Sequence, residues 1–586
     1  MESPILLQHW AQLPAVLAEH IFSSLPSNDI ACTIRLVNKA GAARFSSPEH
    51  TTIHLSQPVP AHAFSKHWTN PNLLGNMTYA QRLQLLCLTA RSGSLPNLAV
   101  AAASAGCILN AEVINAAAAA GQVHCCEWLR SQGCRLGKVL SAAAGAGQRR
   151  TCEWALAKGC EWDIEAFHAA TSGGHEAIMF WLLGLRPEES LRPSKWSLLS
   201  VAAGCSLATL KRLYMAWAAE EDLAEAAEDE PQWAAELLAA AGGSRTPDWQ
   251  AKVEWLVEQG LEVTADSYIH RDAALHPDAL GRVQWLLQMG FACVELAVLQ
   301  AARLGKVDVL EYVHDEGIVF EDTWIDCGRE AAEAGQLATL QLLCSWSVGD
   351  GMLNLRAAAR AGQLPVVLWL VEQQLGEDVL QECYQLFGCA AGSGNLELLR
   401  WLYEHGCVRR DFRYTSFVKE AAAAGNVEAL RWLVSIGCRF PATGFDACWA
   451  AVRKGDLATM DCLQQLGCPW GDNPDSRGDY VSPDSSSDGY WDSRPGLLFR
   501  RCMGLPRPTV ILEWLLERGC PVGSWSAAVR RAAQVVARAG WTEDTRELWE
   551  WLRQDGGMRS RWWAEEAADE WQDGLEELLS GLNMRL

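Results

Sequence analysis

The sequence has no membrane-length apolar run. No stretch of about 18 apolar residues occurs, and Ala-rich segments such as AAAAAGQVHCC at 116–126 are broken by polar residues. The start, MESPILLQHW, places an acid at position 2 and no basic residue, which argues against a signal peptide. None of the 21 Cys stands in C-x-x-C spacing, which excludes a zinc ribbon or a thioredoxin motif. G-x-S-x-G, H-E-x-x-H, G-x-x-x-x-G-K-[ST] and G-x-G-x-x-G are all missing. The 13 His are scattered; His67, His175 and His405 have no partner at ligand spacing. No catalytic set, metal site, cofactor or small-molecule substrate is therefore expected, and the chain reads as a non-enzyme. Cations are also scarce, 49 Lys and Arg against 71 Asp and Glu, giving a net charge of −22. Such a surface repels phosphate backbones and anionic lipid, so neither nucleic acid nor a membrane surface is an expected partner. The imbalance falls after residue 90, because Arg35, Lys39, Arg44, Lys66 and Arg82 outnumber Glu2, Glu19, Asp29 and Glu49 before it.

What the sequence does contain is repetition. At 586 residues the chain is too long for one core, and its 28 Trp require a recurring slot. CCEWLRSQGC at 125–134 is echoed by TCEWALAKGC at 151–160, LLRWLYEHGC at 398–407 and ALRWLVSIGC at 429–438. Counting from Gly121, Gly147, Gly174, Gly305, Gly335, Gly362, Gly394, Gly425 and Gly455, the fifth and eighth residues onward are apolar in every unit, for example Cys126 and Leu129, or Leu399 and Leu402. Trp recurs seven on, at Trp128, Trp154, Trp181, Trp369, Trp401 and Trp432. This spacing is the stripe of a short helix. Twelve on, Gly returns at 133, 159, 317, 406, 437 and 467, where a left-handed residue ends a helix at little strain. A small-residue helix precedes each starting Gly, as in LSAAAGAG at 140–147 and VKEAAAAG at 418–425. Pairs of this kind bury themselves by stacking on one another. Cys134, Cys160, Cys407, Cys438, Cys468 and Cys520 follow Gly as small buried thiols, which implies a reducing compartment, the cytoplasm or nucleus.

The pattern A-A-x-x-G, an aliphatic helix, then G-C resembles the ankyrin repeat, with Cys in place of the usual Ala. It lacks the T-P-L-H start, and its fingers are short. At 204–213 the register slips by one, and 278–290 reads as carrying an insertion. The expected organisation is a first domain at 1–50, a linker at 51–80 and an ankyrin-type array at 81–555 with insertions near 213–250 and 471–506. A capping helix at 556–586 closes it, with Trp571, Leu575, Leu578 and Leu582 on one face. Within the second insertion, 471–495 is polar and turn-rich and reads as disordered.

The N-terminal 10–45 is not a repeat. Leu13-Pro14 opens a helix, Leu17, Ile21 and Leu25 follow at four-residue steps, Pro26 ends it, and Leu36, Val37 and Phe45 supply a third apolar stripe. The pattern L-P-x-x-(V/L)-x-x-x-I-x-x-x-L-P-x-x-D-(I/L), with L-V-N-K downstream, resembles an F-box. The resemblance implies docking onto a Skp-family adaptor of a cullin–RING ubiquitin ligase through Leu13, Pro14, Leu17, Ile21, Leu25, Pro26, Leu36 and Val37. The expected fold is all-α, a three-helix F-box-like unit followed by an ankyrin-type solenoid. The expected function is substrate recognition for protein ubiquitination, the repeats binding an unknown target protein; the alternative is a non-catalytic ankyrin scaffold with no ubiquitin role. For the target site, HGCVRRDFRYTSF at 405–417 sets Arg409, Arg410 and Arg413 beside Phe412 and Tyr414, a combination suited to an acidic or phosphorylated peptide.

Overall fold

The structure is a computed structural model describing residues 20, 24–37, 39–185, 195–218, 231–261, 269–291, 294–346, 350–376, 380, 384–408, 416–440, 444–470, 496–523, 525–540 and 542–554. The protein is all-α and of solenoid type; the described residues contain no strand, only an isolated bridge between Cys107 and Asp456. No described helix is long and apolar enough to cross a membrane.

The repeat unit is a helix pair, and both helices end the same way. In the first, the residue after the turn glycine donates its N–H to the carbonyl five residues back: Gln122 to Ala117 at 3.0 Å, Gln148 to Ala143 at 2.9 Å, Gln336 to Ala331 at 2.9 Å. The second repeats this through the G-C dipeptide, Cys134 to Leu129 at 3.0 Å and Cys468 to Leu463 at 2.9 Å. Each is the hydrogen bond that terminates a helix on a left-handed glycine. Gly121 and Gly133 have φ of 75° and 84°. Cys follows because the next side chain turns back into the core; Cys134, Cys407, Cys438, Cys468 and Cys520 are all buried.

The chain forms two units, residues 1–74, 81–105 and 109–379, and residues 75–80, 106–108 and 380–586. In the first, Ala111–Ala119, Val139–Gly145, Ile164–Ser172, Lys195–Gly204, Pro231–Gly242, Ile269–Ala273, Glu295–Leu304, Glu321–Ala334 and Gly351–Ala361 each pack on the next. In the second, Tyr384–Ser393, Ser416–Ala424, Phe445–Val452, Leu497–Cys502 and Trp525–Ala539 do the same. These first helices approach closely, which is why they are made of Ala and Gly. A Cβ on Gly204 would lie 1.9 Å from the Thr171 carbonyl. The second helices, among them Val123–Ser131 and Val427–Ser435, bury their fifth and eighth positions and leave the Trp half-exposed. The Trp ladder therefore roofs the core from outside. Trp154, for example, donates Nε1–H to Glu127 of the preceding pair at 3.2 Å.

Both places where the spacing departs from the rule are ordinary helix pairs with altered turns. Residues 231–250, expected as part of an insertion, contain the first helix Pro231–Gly242 and the start of Trp249–Glu258. Residues 219–230 and 471–495 lie outside the described residues, as does the capping helix expected at 556–586.

Ahead of the repeats, Ser27–Asp29 runs into a π-helix at Ile30–Ile34 and on through Arg35–Val37. Ile30 and Phe45 are buried, with Leu25 and Ile34 packed against them. Asn28 is the polar centre of this region. Its Nδ2 donates to the carbonyls of His54 (2.8 Å) and Pro58 (3.0 Å), and its Oδ1 accepts from His54 N–H at 2.8 Å.

Candidate functional site

Four of the eight residues expected on an adaptor-docking face, Leu25, Pro26, Leu36 and Val37, are among the described residues. Leu13, Pro14, Leu17 and Ile21 lie outside the described residues. Leu25 packs inward on Ile30 and Phe45, Pro26 is exposed, and Leu36 (75%) and Val37 (47%) face solvent. The five residues expected to bind a target, Arg409, Arg410, Phe412, Arg413 and Tyr414, lie outside the described residues as well.

A second class of position carries the polar chemistry of the repeats, and the spacing analysis passed over it: the residue immediately after each turn glycine. It is Gln122, Gln148, His175, Lys306, Gln336, Gln363, Asn395, Asn426 and Asp456, polar in every unit. Several of these side chains reach back to an earlier pair. Gln336 Nε2 donates to the Arg303 carbonyl (3.3 Å), Gln363 to that of Glu333 (3.2 Å), and Lys306 Nζ to that of His276. Asn426 Nδ2 donates to Gly394 (2.8 Å) and to Asn76 (2.7 Å). The acceptors lie in or just past the last turn of an earlier helix, so each donor ties the end of one helix to the start of another.

Between residues 204 and 282 this glycine turn is missing from the first helices, and buried charge takes its place. TPDWQAK at 246–252 and HPDALGR at 276–282 each carry an acid four residues before a cation. Lys252 is fully buried. Its Nζ donates to the Ala202 carbonyl (3.0 Å), Ser244 Oγ (2.8 Å) and Thr246 Oγ1 (2.7 Å), with Asp248 at 3.8 Å. Arg282 does the same work one pair on. It donates to the carbonyls of Gly242 (2.9 Å) and Ser244 (2.8 Å), bonds Asp278 (3.0 Å), and lies over the Trp249 ring. Glu176 accepts from Ser206 N–H at 2.6 Å and Thr209 Oγ1–H at 2.8 Å.

Burial pushes the Lys252 ammonium down to about 8, against the opposing pull of Asp248, Cys205 and Glu176. Burial would raise the Asp248 carboxyl, but hydrogen bonds from Thr246 and Leu207 and the nearby Lys252 bring it below its ordinary value. Burial pushes the Cys205 thiol up to about 12. Each of these perturbed groups is engaged in holding one helix pair to the next. Among the described residues no group of three or more His, Cys, Asp or Glu could hold a metal ion. The thiols are free, and the Cys448 and Cys468 sulfurs are 3.9 Å apart.

The first helices turn their remaining side chains to solvent as an ordered row, including Ser172, Glu333, Arg360, Lys419 and Arg453. Because each first helix packs on the next, this row is a continuous surface within each unit.

No family model matches the chain, and no curated protein does. Solved structures similar to it include the pentatricopeptide repeat protein PPR10 in complex with an 18-nt psaJ RNA element, at 12% identity and a TM-score of 0.26, covering 99% of both chains. The same protein from maize matches at 12% identity and a TM-score of 0.24, covering 99% of this chain and 83% of that one. The absence of a family match corrects the resemblance drawn from the sequence: neither an F-box nor an ankyrin model matches. The physical reason is that A-A-x-x-G and G-C specify how a small-faced helix stacks and stops, which is a packing rule and not a family signature. The ubiquitin-ligase role, its ankyrin-scaffold alternative and the Skp and cullin partners fall with the resemblance. The exclusion of nucleic acid is withdrawn as well: it rested on a net charge taken over the whole chain, which does not describe the charge of any one face.

Proposed function

We propose that this protein is a non-catalytic recognition protein that binds an extended macromolecular ligand along its first-helix surfaces. The observation that carries the reading is the stacking of first helix on first helix. It sets side chains from successive pairs in register on one face, the arrangement by which repeat proteins build long binding surfaces. The absence of catalysis is supported by the fate of the perturbed groups: Lys252, Asp248, Glu176 and Arg282 are committed to carbonyls, amides and hydroxyls of neighbouring pairs. Among the described residues nineteen cysteines form no disulfide and most are buried, which supports residence in a reducing compartment.

The test is site-specific photo-crosslinking in cells. A photoreactive residue is placed at Ser172, Glu333 or Lys419 on the first helices, or at Glu127, Glu311 or Arg431 on the second helices, all exposed. Crosslinked RNA and crosslinked polypeptide are both assayed. Adducts from the first-helix set alone support the reading; equal adducts from both sets, or from neither, overturn it.

A further inference from the structure

One stretch of the second unit's first-helix surface concentrates charge and aromatic rings. Phe445, Trp449 and Arg453 stand at four-residue steps along Phe445–Val452 and its last turn, so they share a face. The two rings are nearly parallel, 8° between planes with centroids 6.2 Å apart. Arg501, from the next first helix, lays its guanidinium over both, 5.5 Å from the Phe445 centroid and 5.7 Å from that of Trp449. The preceding first helix is registered by Lys454, whose Nζ donates to the Ala423 carbonyl at 2.5 Å. Lys419 stands on that preceding helix, Ser416–Ala424, which packs against Phe445–Val452. Lys419, Arg453 and Arg501 are exposed, and none is ion-paired with a described carboxylate. Two acids lie on these helices. Asp446 is exposed one residue along from Phe445, and Glu420 leans toward Gly392 on the preceding helix.

This grouping runs against the composition, since acids dominate the chain as a whole. Three exposed cations on successive first helices, with no described carboxylate partner, lack the counter-charge that cations attract elsewhere in the protein. A guanidinium stacked on aromatic rings keeps its in-plane N–H edge free, and that edge fits a carboxylate in fork geometry. The ring edges left beside it offer apolar area. Base stacking would need an open ring face, and Arg501 already covers one.

We propose that Lys419, Phe445, Trp449, Arg453 and Arg501 form a docking site for an acidic segment of a partner polypeptide. Arg501 and Arg453 clasp an Asp or Glu side chain, Lys419 adds a second anionic contact, and an apolar side chain lies along Phe445 and Trp449. The site deepens the recognition function proposed above and rests on it.

The experiment selects ligands for the full-length chain from two pools, a phage-displayed random peptide library and a random-sequence single-stranded RNA pool. Each selected ligand is then titrated against wild type, Arg453→Ala/Arg501→Ala, and the charge-keeping Arg501→Lys. Circular dichroism confirms that the variants are folded. The expected result is enrichment of peptides containing Asp or Glu beside an apolar residue. Their affinity should fall about tenfold or more in the double variant, and measurably in Arg501→Lys, which loses the fork and the stacking. Enriched peptides without acids, or acidic peptides indifferent to both variants, overturn the site while leaving the recognition function standing. RNA that loses affinity in the same variants overturns the polypeptide assignment. Enrichment from neither pool overturns both the site and the recognition function.

Discussion

The side-chain amide of Asn426 donates to the carbonyl of Gly394, 2.8 Å away and 32 residues back in the chain. The same Nδ2 reaches Asn76 at 2.7 Å, while Oδ1 accepts from Ala429 N–H at 2.9 Å. One buried amide thus starts its own helix and ends the helix before it. Asn426→Ala should lower stability by about 2–3 kcal/mol, the loss of a cap plus two buried carbonyls left unpaired. Asn426→Asp keeps the cap and loses the donors, so its denaturation midpoint should fall between those of Asn426→Ala and wild type. Equal midpoints for the two variants would mean that the reach to Gly394 contributes nothing.

Two glycines of similar backbone geometry should respond differently to Ala. Gly121 has φ of 75°, and a Cβ there would sit 2.5 Å from Gln148 Oε1 of the following pair. Gly159 has φ of 92° with nothing within 4 Å. Gly159→Ala should lose about 1 kcal/mol from left-handed strain alone. Gly121→Ala should lose more, because Gln148 must also move. Adding Gln148→Ala should recover part of that excess at Gly121 and none at Gly159, a coupling that a double-mutant cycle reads directly.

That contrast shows what the sequence made legible. The apolar positions five and eight after each glycine are buried as their spacing requires, from Cys126 and Leu129 to Met460 and Leu463. The closing glycines are left-handed, Gly437 at φ 101° and Gly467 at 79°. Both signals are local, so periodicity exposes them. The polar residues after the glycines were hidden because their meaning is non-local: Gln336 or Asn426 looks like an ordinary polar residue beside a turn, and only the structure shows its carbonyl acceptor one repeat away. Yet the signal existed, since the position after the glycine is polar in every unit. At 204–282 the irregular spacing was visible, but not its cause, the replacement of a glycine turn by Lys252 and Arg282. The recurring Trp do occupy one slot, half-exposed on the second helices, where Trp154 bonds Glu127 of the preceding pair.

The buried thiols should make the fold sensitive to alkali. Burial pushes Cys126, Cys327 and Cys438 each up to about 12. The unfolded chain releases thiol protons near pH 8.5, while the folded protein keeps them. Their contribution is therefore complete below the unfolded thiol pKa and is lost as pH rises toward 12. The stability difference between wild type and Cys327→Ala should shrink steadily above about pH 9. In alkylation followed by mass spectrometry at neutral pH, half-buried Cys389 should react before Cys327. Simultaneous labelling of both would show that the thiols react only by global unfolding.

Lys252 should act in the opposite direction over an overlapping range. Its ammonium is held at about 8 when folded and rises to the ordinary 10.5 when exposed. Between those values the unfolded state binds the proton and the folded state does not, so stability attributable to this residue grows with pH. The comparison that isolates it is wild type against Lys252→Met, which keeps the stem volume, removes the titration and leaves every cysteine in place. Relative to this variant, wild type should gain about 2 kcal/mol between about pH 7.5 and about pH 9.5, read from urea midpoints. At the lower pH, Lys252→Met should still be the less stable protein, because the Ala202 carbonyl, Ser244 and Thr246 lose their shared donor. A pH-independent difference would mean that the ammonium is solvated, and that the joint at 202–252 is not held by a buried charge.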